Sequence, residues 1–315
     1  MNVRRSGSVV EVWAPAKVNL FLEVLAKRSD GFHEIVTLMT AVNIFDTLWL
    51  VPERCGRLDL VCDWAAPLRS EQQGRPSLRP ASPLGDLPEG TGNIVLRAVG
   101  LLRERAGISA GAQVRLVKRI PSAAGLGGAS SDAAAALVAA NSAWQLDWPR
   151  ERIAEVAAEL GSDVPFFLRP TAAVCRGRGE RVEPAEGLCK LHFVVVRPPG
   201  GLSTPEVYRH CRPADRGVPI GPLLMALRRG DVARAGSMLV NRLQETAESL
   251  SPWVRRLRQE FGDTDCVAHQ MSGSGTSYFG ICRHARHARR VAARLRTRQI
   301  GYVYCAESIV AGNSS

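Results

Sequence analysis

Hydrophobic and polar residues alternate along residues 12–24, with Val18, Leu20, Leu22 and Val24 on one face and Lys17 and Asn19 on the other. A period of two predicts a strand, and two polar groups on one face read by default as a solvent-facing edge. Arg28-Ser-Asp-Gly31 then supplies a turn with Asp-Gly at its tip, and Phe32-His33 leads into a second strand through Ala41, so a hairpin is expected. Further strands are predicted at 44–51 and 57–62. Residues 63–92 lose all periodicity and gather Pro67, Pro76, Pro80, Pro83 and Pro88 with Gly74, Gly85, Gly90 and Gly92. That composition predicts a long surface loop or insertion, partly disordered.

Asn93 caps a predicted helix carrying Ile94, Val95, Ala98, Leu101 and Leu102. Residues 113–118 return to a strand pattern. The chain then enters Pro121-Ser-Ala-Ala-Gly-Leu-Gly-Gly-Ala-Ser-Ser131 and the alanine-rich run from Asp132 to Leu137. The order strand, glycine loop, helix suits a phosphate cradle. Gly125, Gly127 and Gly128 bare their backbone N–H groups, and the helix start adds about half a positive charge. Ser130 or Ser131 is expected to cap that helix. The loop lacks Gly-Lys-Ser/Thr and misses the Gly-x-Gly-x-x-Gly spacing, which excludes both common nucleotide loops.

A helix at 149–160, with Pro149 near its start and Gly161 at its end, delivers the chain to Gly161-Ser-Asp-Val-Pro. Asp163 there reads as the cap of a short helix carrying Pro165, which does not exclude a second role. Strand-like stretches follow at 172–182, then a buried-type strand at 191–197 and a helix opened by Ser203-Thr-Pro. Mostly helical sequence continues to Phe261. Next come a strand at 266–270, a second glycine turn at Ser272-Gly-Ser-Gly275, a strand at 278–282, a basic helix, and a last strand at 302–310. The alternation predicts an α+β architecture.

At 315 residues, two domains are expected, divided as 1–188 and 189–315. No run of apolar residues reaches membrane-spanning length, and the polar N-terminus lacks an apolar signal core, so a cytoplasmic protein without a membrane partner is expected. The net charge of +11 suits nucleic acid, a membrane surface or an anionic substrate. Only four of the 41 basic residues are lysine (17, 27, 118 and 190), and the arginine excess reads as compositional habit. The densest cluster, from Arg283 to Arg298, alternates with Ala288, Val291, Ala292 and Leu295 as a solvated helix face would. It has no interleaved aromatics, so no nucleic-acid partner is expected. The eight cysteines are scattered, which argues against zinc and against disulfides and predicts mostly small buried residues.

Pro-Ala-Lys-Val-Asn-Leu at 15–20, the loop at 121–131 and Ser-Gly-Ser-Gly at 272–275 together resemble the GHMP small-molecule kinases in order and spacing, over essentially the whole chain. Asp-Gly-Phe-His and Gly-Ser-Asp-Val-Pro narrow the resemblance to kinases whose acceptor alcohol carries a cytidine diphosphate. A homoserine or mevalonate type is the alternative. The resemblance implies an N-terminal domain like ribosomal protein S5, a ferredoxin-like C-terminal domain and an active site between them. It implies ATP on Pro121, Ser122, Ala123, Ala124, Gly125, Leu126, Gly127, Gly128, Ala129, Ser130 and Ser131, with Mg²⁺ whose protein ligands stay unassigned. Lys17 and Asp163 would flank the acceptor hydroxyl, with Asn19 beside them. Phe32 and Tyr208 would sandwich the cytosine, His33 would hydrogen-bond it, and Thr204 would line the same pocket. The implied partner is a small molecule, and the chain is expected to be a monomer or weak homodimer. Three departures stand out: Ala123 and Ala124 replace common glycines, Phe32 replaces a common tyrosine, and the insertion at 63–92 is longer than the family pattern implies.

Overall fold

The computed structural model describes residues 1–65, 87 and 92–310. Most of the loop expected at 63–92 therefore lies outside the described residues. The hairpin at the start is present: β1 (Asn2–Ser6) pairs with β2 (Val9–Lys27), which turns at Gly31 into β3 (His33–Glu53) with Lys27 opposite His33. β3 is one strand of 21 residues where the sequence predicts two, and the exposed Asn43 at the expected break lies in a register shift, since Ala16 pairs with Val42 and Pro15 with Phe45. β4 (Leu58–Trp64) follows. Asn93 caps α1 (Ile94–Ala106) as expected, its side-chain oxygen accepting from the Val95 N–H at 2.9 Å.

β5 (Gly111–Lys118), α2 (Gly128–Ala143), α3 (Arg150–Leu160) and α4 (Val164–Phe167) carry the glycine loop and the Asp163 turn. β6 (Ala172–Gly177) and β7 (Arg181–Pro184) close the first half. The second half opens with β8 (His192–Arg197), α5 (Thr204–His210), α6 (Gly221–Arg228) and α7 (Val232–Gly236). It continues through β9 (Val240–Asn241), α8 (Gln244–Leu250) and α9 (Pro252–Gly262). Last come β10 (Ala268–Met271), β11 (Tyr278–Cys282), α10 (Ala285–Thr297) and β12 (Tyr302–Glu307).

One sheet runs β1-β2-β3-β5-β4, with β6 added beside β3, β7 beside β6 and β9 beside β2. The other runs β10-β11-β8-β12 and is antiparallel throughout. β9 comes from the second half yet pairs with β2, and Arg242 just after it grips the fully buried Glu23 of β2 at 2.6 and 3.0 Å.

β2 organises three cores. Val10, Val12 and Ala14 pack under α2, Ala16, Val18, Leu20 and Phe21 face the second sheet through Phe193 and Val195, and Leu22 and Val24 join Val194 and Val196. Register shifts after Pro15, Asn19 and Val24 re-aim the strand each time, as bulges do. Because both faces are covered, Lys17 and Asn19 are 3% and 2% exposed, so the solvent-facing reading of this pair is wrong. α2 is buried nearly all round, and its run of alanines lets helix and sheet approach closely.

Two further expectations need correction. Neither Ser130 nor Ser131 caps α2: Gly127, at φ +71°, occupies the cap position, and both serines fall inside the first turns. The cysteines are all free, but only Cys175, Cys211 and Cys282 are buried, because the others lie at element ends and sheet edges. No helix among the described residues is long and apolar enough to cross a membrane. The arginines of α10 point outward, while Ala288, Val291, Ala292 and Leu295 are buried as predicted.

Candidate active site

The glycine loop is held from below by charge. Lys118 at the end of β5 donates to Asp46 of β3 and to Asp132 of α2, each at 2.5 Å, and all three are buried. The other oxygen of Asp46 accepts the N–H groups of Arg119 and Ile120, which steers the chain out of β5 and into the loop. Burial opposes the charge on Lys118, but Asp132 and Asp46 outweigh it and hold its ammonium above the usual lysine range. Burial pushes the Asp132 carboxyl well up, towards its neutral form. Sequence reading missed this cluster, whose members are far apart along the chain.

From the side, the loop is held by the second glycine turn. Gly125 and Gly127 both sit at φ +71° and Ala123 at φ +48°. The Ser272 hydroxyl donates to the Gly125 carbonyl at 2.9 Å, and the Ser277 N–H donates to the Ala124 carbonyl at 3.1 Å. A side chain on Gly125 would run into the Ser272 carbonyl, so the two turns abut backbone to backbone. Asn241 ties β9 to this arrangement by donating to the carbonyls of Met271 and Gly273 at 2.8 and 2.9 Å.

Lys17 lies where loop, turn and β2 meet. Its N–H donates to the Leu126 carbonyl at 2.9 Å. Its ammonium donates to Asn19 Oδ1 at 2.5 Å and stands 3.5 Å from Asp163 Oδ2. Asp163 occupies the cap position of α4, yet its side chain makes no capping bond and is 34% exposed. The carboxylate is thus free to face both Lys17 and a ligand.

Pro121–Gly125, Gly127–Ser130, Lys17, Asn19, Asp163, Phe32, His33, Thr204 and Tyr208 all line one cleft of about 1420 Å³. Of the predicted site residues, Leu126 and Ser131 are not brought to it: Leu126 packs into the core, and the Ser131 hydroxyl is buried without a partner. His33 and Tyr208 hold their ring centroids 5.3 Å apart, and the Thr204 hydroxyl bonds that of Ser274 at 2.7 Å. Phe32 is 48% exposed, with the Arg178 guanidinium 4.7 Å from its ring centroid. Burial first, and nearby Lys27 second, hold the His33 imidazole below its ordinary value. Burial pushes the Tyr208 phenol up, with Asp163 adding to it.

Lys27, Arg178, Arg197 and Arg209 also line the cleft and were not singled out from the sequence. Lys27 and Arg209 each lie close in the chain to a motif residue, Asp30 and Tyr208, which is the signal that would have found them. The cleft therefore combines a backbone anion cradle, an ammonium–carboxylate pair and an aromatic end with cations around it.

Family comparisons agree with this layout. The GHMP kinases N terminal domain matches residues 93–170, and the GHMP kinases C terminal domain matches residues 223–300. A 4-diphosphocytidyl-2-C-methyl-D-erythritol kinase from Pelotomaculum thermopropionicum is 39% identical over 290 residues, covering 91% of this chain and 94% of that protein. The chain belongs to the GHMP kinase family. A crystal structure of a 4-(cytidine 5'-diphospho)-2C-methyl-D-erythritol kinase superimposes with a TM-score of 0.75 at 34% identity, covering 96% of this chain and all of that one. A homoserine kinase from Cytophaga hutchinsonii shares the GHMP fold at a TM-score of 0.69, with 20% identity over 98% of this chain and 97% of its own. The α+β architecture read from the sequence is that of the GHMP kinases.

Proposed function

We propose that this chain transfers the γ-phosphoryl group of ATP to the 2-hydroxyl of 4-diphosphocytidyl-2-C-methyl-D-erythritol, giving the 2-phosphate and ADP in the non-mevalonate route to isopentenyl diphosphate. The observation that carries the reading is the Lys17–Asp163 pair, 3.5 Å apart in the cleft that also holds the glycine loop and the aromatic end. The relatives' shared name supports the choice of acceptor.

Phosphoryl transfer needs positioning and charge stabilisation more than covalent help. In this reading the N–H groups of the loop and the start of α2 cradle the triphosphate. Lys17 offsets charge developing between the γ-phosphate and the acceptor, and Asp163 orients the hydroxyl and takes its proton as the new P–O bond forms. Phe32 and Tyr208 flank the cytosine, and the His33 ring, held neutral, meets its edge. Lys27, Arg178 and Arg209 give the same end a positive rim, which favours a diphosphate-bearing acceptor over a small alcohol.

Magnesium fits the donors present. Ser130 and Asp163 both line the cleft, and an ion that keeps phosphate and water ligands needs only one or two protein oxygens. When bound, it neutralises charge on the β- and γ-phosphate oxygens. Residues 1–188 form the domain that carries the phosphate loop, and residues 189–315 form the C-terminal domain. The enzyme is a cytoplasmic monomer or weak homodimer that needs no membrane or nucleic acid.

The test is ADP release with Mg²⁺, comparing no acceptor, the cytidylyl acceptor, homoserine and mevalonate. Release that depends on the cytidylyl acceptor supports the proposal, and release with another alcohol overturns the acceptor. Asp163→Asn should lower kcat by about a thousandfold while ATP binding is kept. Turnover at the wild-type rate would remove Asp163 from its role.

A further inference from the structure

We propose that Thr37 is a positioning residue for phosphoryl transfer: its hydroxyl orients the side-chain amide of Asn19 so that the oxygen, and not the NH₂, faces Lys17. The inference rests on the role given to Lys17 above. Thr37 lies on β3 opposite Leu22 of β2, lines the cleft and is 1% exposed. Its hydroxyl donates to the Phe21 carbonyl at 2.6 Å. A carbonyl accepts only, so that bond consumes the one hydrogen that Thr37 has to give. Only lone pairs remain to face Asn19, whose Nδ2 lies 2.8 Å away. The amide nitrogen can meet them and the amide oxygen cannot.

With its nitrogen fixed there, Asn19 presents Oδ1 to the Lys17 ammonium at 2.5 Å. The flipped amide would set NH₂ against an ammonium that has only donors, and oxygen against a hydroxyl with no hydrogen left. Both contacts would be repulsive, among groups that are all buried. The Asn19 backbone is held without Thr37: its N–H donates to the Ser272 hydroxyl at 3.4 Å, and its carbonyl accepts from Gln270 Nε2 at 2.8 Å. Thr37 therefore governs only which end of the amide faces Lys17. The register shift between Asn19 and Phe21 brings the Phe21 carbonyl and the Asn19 amide onto one hydroxyl, which gives that irregularity a purpose. With Asn19 Oδ1 and Asp163 flanking the ammonium, a third N–H is left for the phosphoryl group in transfer.

Thr37→Val keeps the shape and removes the acceptor. The expected result is a kcat about tenfold to a hundredfold lower with KM for ATP and for the acceptor nearly unchanged. Thr37→Ser, which restores the hydroxyl, should return kcat to within about threefold of wild type. A purely structural threonine would lower the melting temperature without this split and without the rescue. A folded Thr37→Val enzyme with wild-type kcat, or a Thr37→Ser enzyme equally slow, overturns the proposal. Neutron diffraction from deuterium-exchanged wild-type crystals tests it without a variant. Deuterons on the Asn19 side-chain atom facing Thr37 support it, and deuterons on the atom facing Lys17 overturn it. Absence of turnover by the wild type would instead refute the functional reading, and the neutron result would still decide the amide.

Discussion

Gly127→Ala tests whether the cradle and the ammonium form one packed unit. Gly127 sits at φ +71°, and a Cβ built there falls 2.7 Å from Phe167 Cζ and 3.0 Å from Lys17 Cγ. Ordinary carbon contacts lie at about 3.5–4.0 Å, so the overlap approaches 1 Å on Phe167 and is slightly less on Lys17. Phe167 is fully buried and cannot swing aside. The left-handed backbone costs an alanine about 1–2 kcal/mol, and overpacking adds about 1–3 kcal/mol, for a total of about 2–5 kcal/mol. At about 2–4 °C per kcal/mol for a chain of this size class, melting should fall by about 4–20 °C. Part of the overlap is relieved by moving Lys17, and misplacing a reacting group by about 1 Å costs on the order of a hundredfold in rate. Gly107→Ala is the control, since Gly107 has φ +64° with nothing within 4 Å of the added carbon, so it bears the backbone cost alone. Thermal melts and coupled ADP-release assays on both variants check the argument. A Gly127→Ala enzyme as stable as Gly107→Ala, with wild-type turnover, would refute it.

Three further outcomes follow from the same geometry. His33 titrates below the ordinary imidazole value, first through burial, so it stays neutral at pH 7 and takes a proton only as the medium becomes clearly acid. In the folded state the neutral form is favoured, so kcat/KM for the cytidylyl acceptor should fall on acidification below about pH 6.5, and His33→Gln should flatten that limb. Lys118→Met leaves Asp46 and Asp132 buried without their shared cation and should cost about 3–5 kcal/mol in denaturant unfolding, whereas an exposed pair such as Arg105–Glu159 should cost under about 1 kcal/mol when broken. Ala123, at φ +48°, pays for a conformation that glycine adopts freely, so Ala123→Gly should leave the melting temperature unchanged or raise it, and a clear drop would contradict the left-handed assignment.

What was legible in the sequence had a local cause. The alternation of β2, the glycine loop entering an alanine-rich helix and the Asn93 cap are each written within a few consecutive residues, and each appears where expected. β9 was not legible, because Val240–Asn241 is too short to carry a period and exists only through its pairing with β2. The burial of Lys17 and Asn19 was not legible either. A period of two separates the faces of a strand but does not say that the glycine loop, the Ser272–Gly275 turn and Asp163 close over the polar one. The cap of α2 was misplaced because serine is the stronger cap by propensity, while the loop needs a left-handed residue at that point and glycine supplies it.

The lysines held a clue that composition alone concealed. In a chain that otherwise uses arginine for its positive charge, lysine stands at two of the three deeply buried cationic positions around the cradle: Lys17 is 3% exposed and Lys118 4%, beside Arg197 at 2%. An ammonium has three N–H groups on a compact head, and each of these sites supplies few acceptors: Asn19 and Asp163 at Lys17, Asp46 and Asp132 at Lys118. A guanidinium brings five N–H groups on a wide plane and must satisfy them all. Arg197, also buried, illustrates the difficulty. It uses the carbonyls of Pro198, Gly200 and Ser122, its Nε still lacks a partner, and burial lowers its pKa. Beneath Gly128 there is less room still, since a Cβ there would lie 3.3 Å from Lys118 Nζ. The choice of lysine at 17 and 118 thus follows from acceptor count and space, a demand that the exposed Lys27 at the end of β2 does not face.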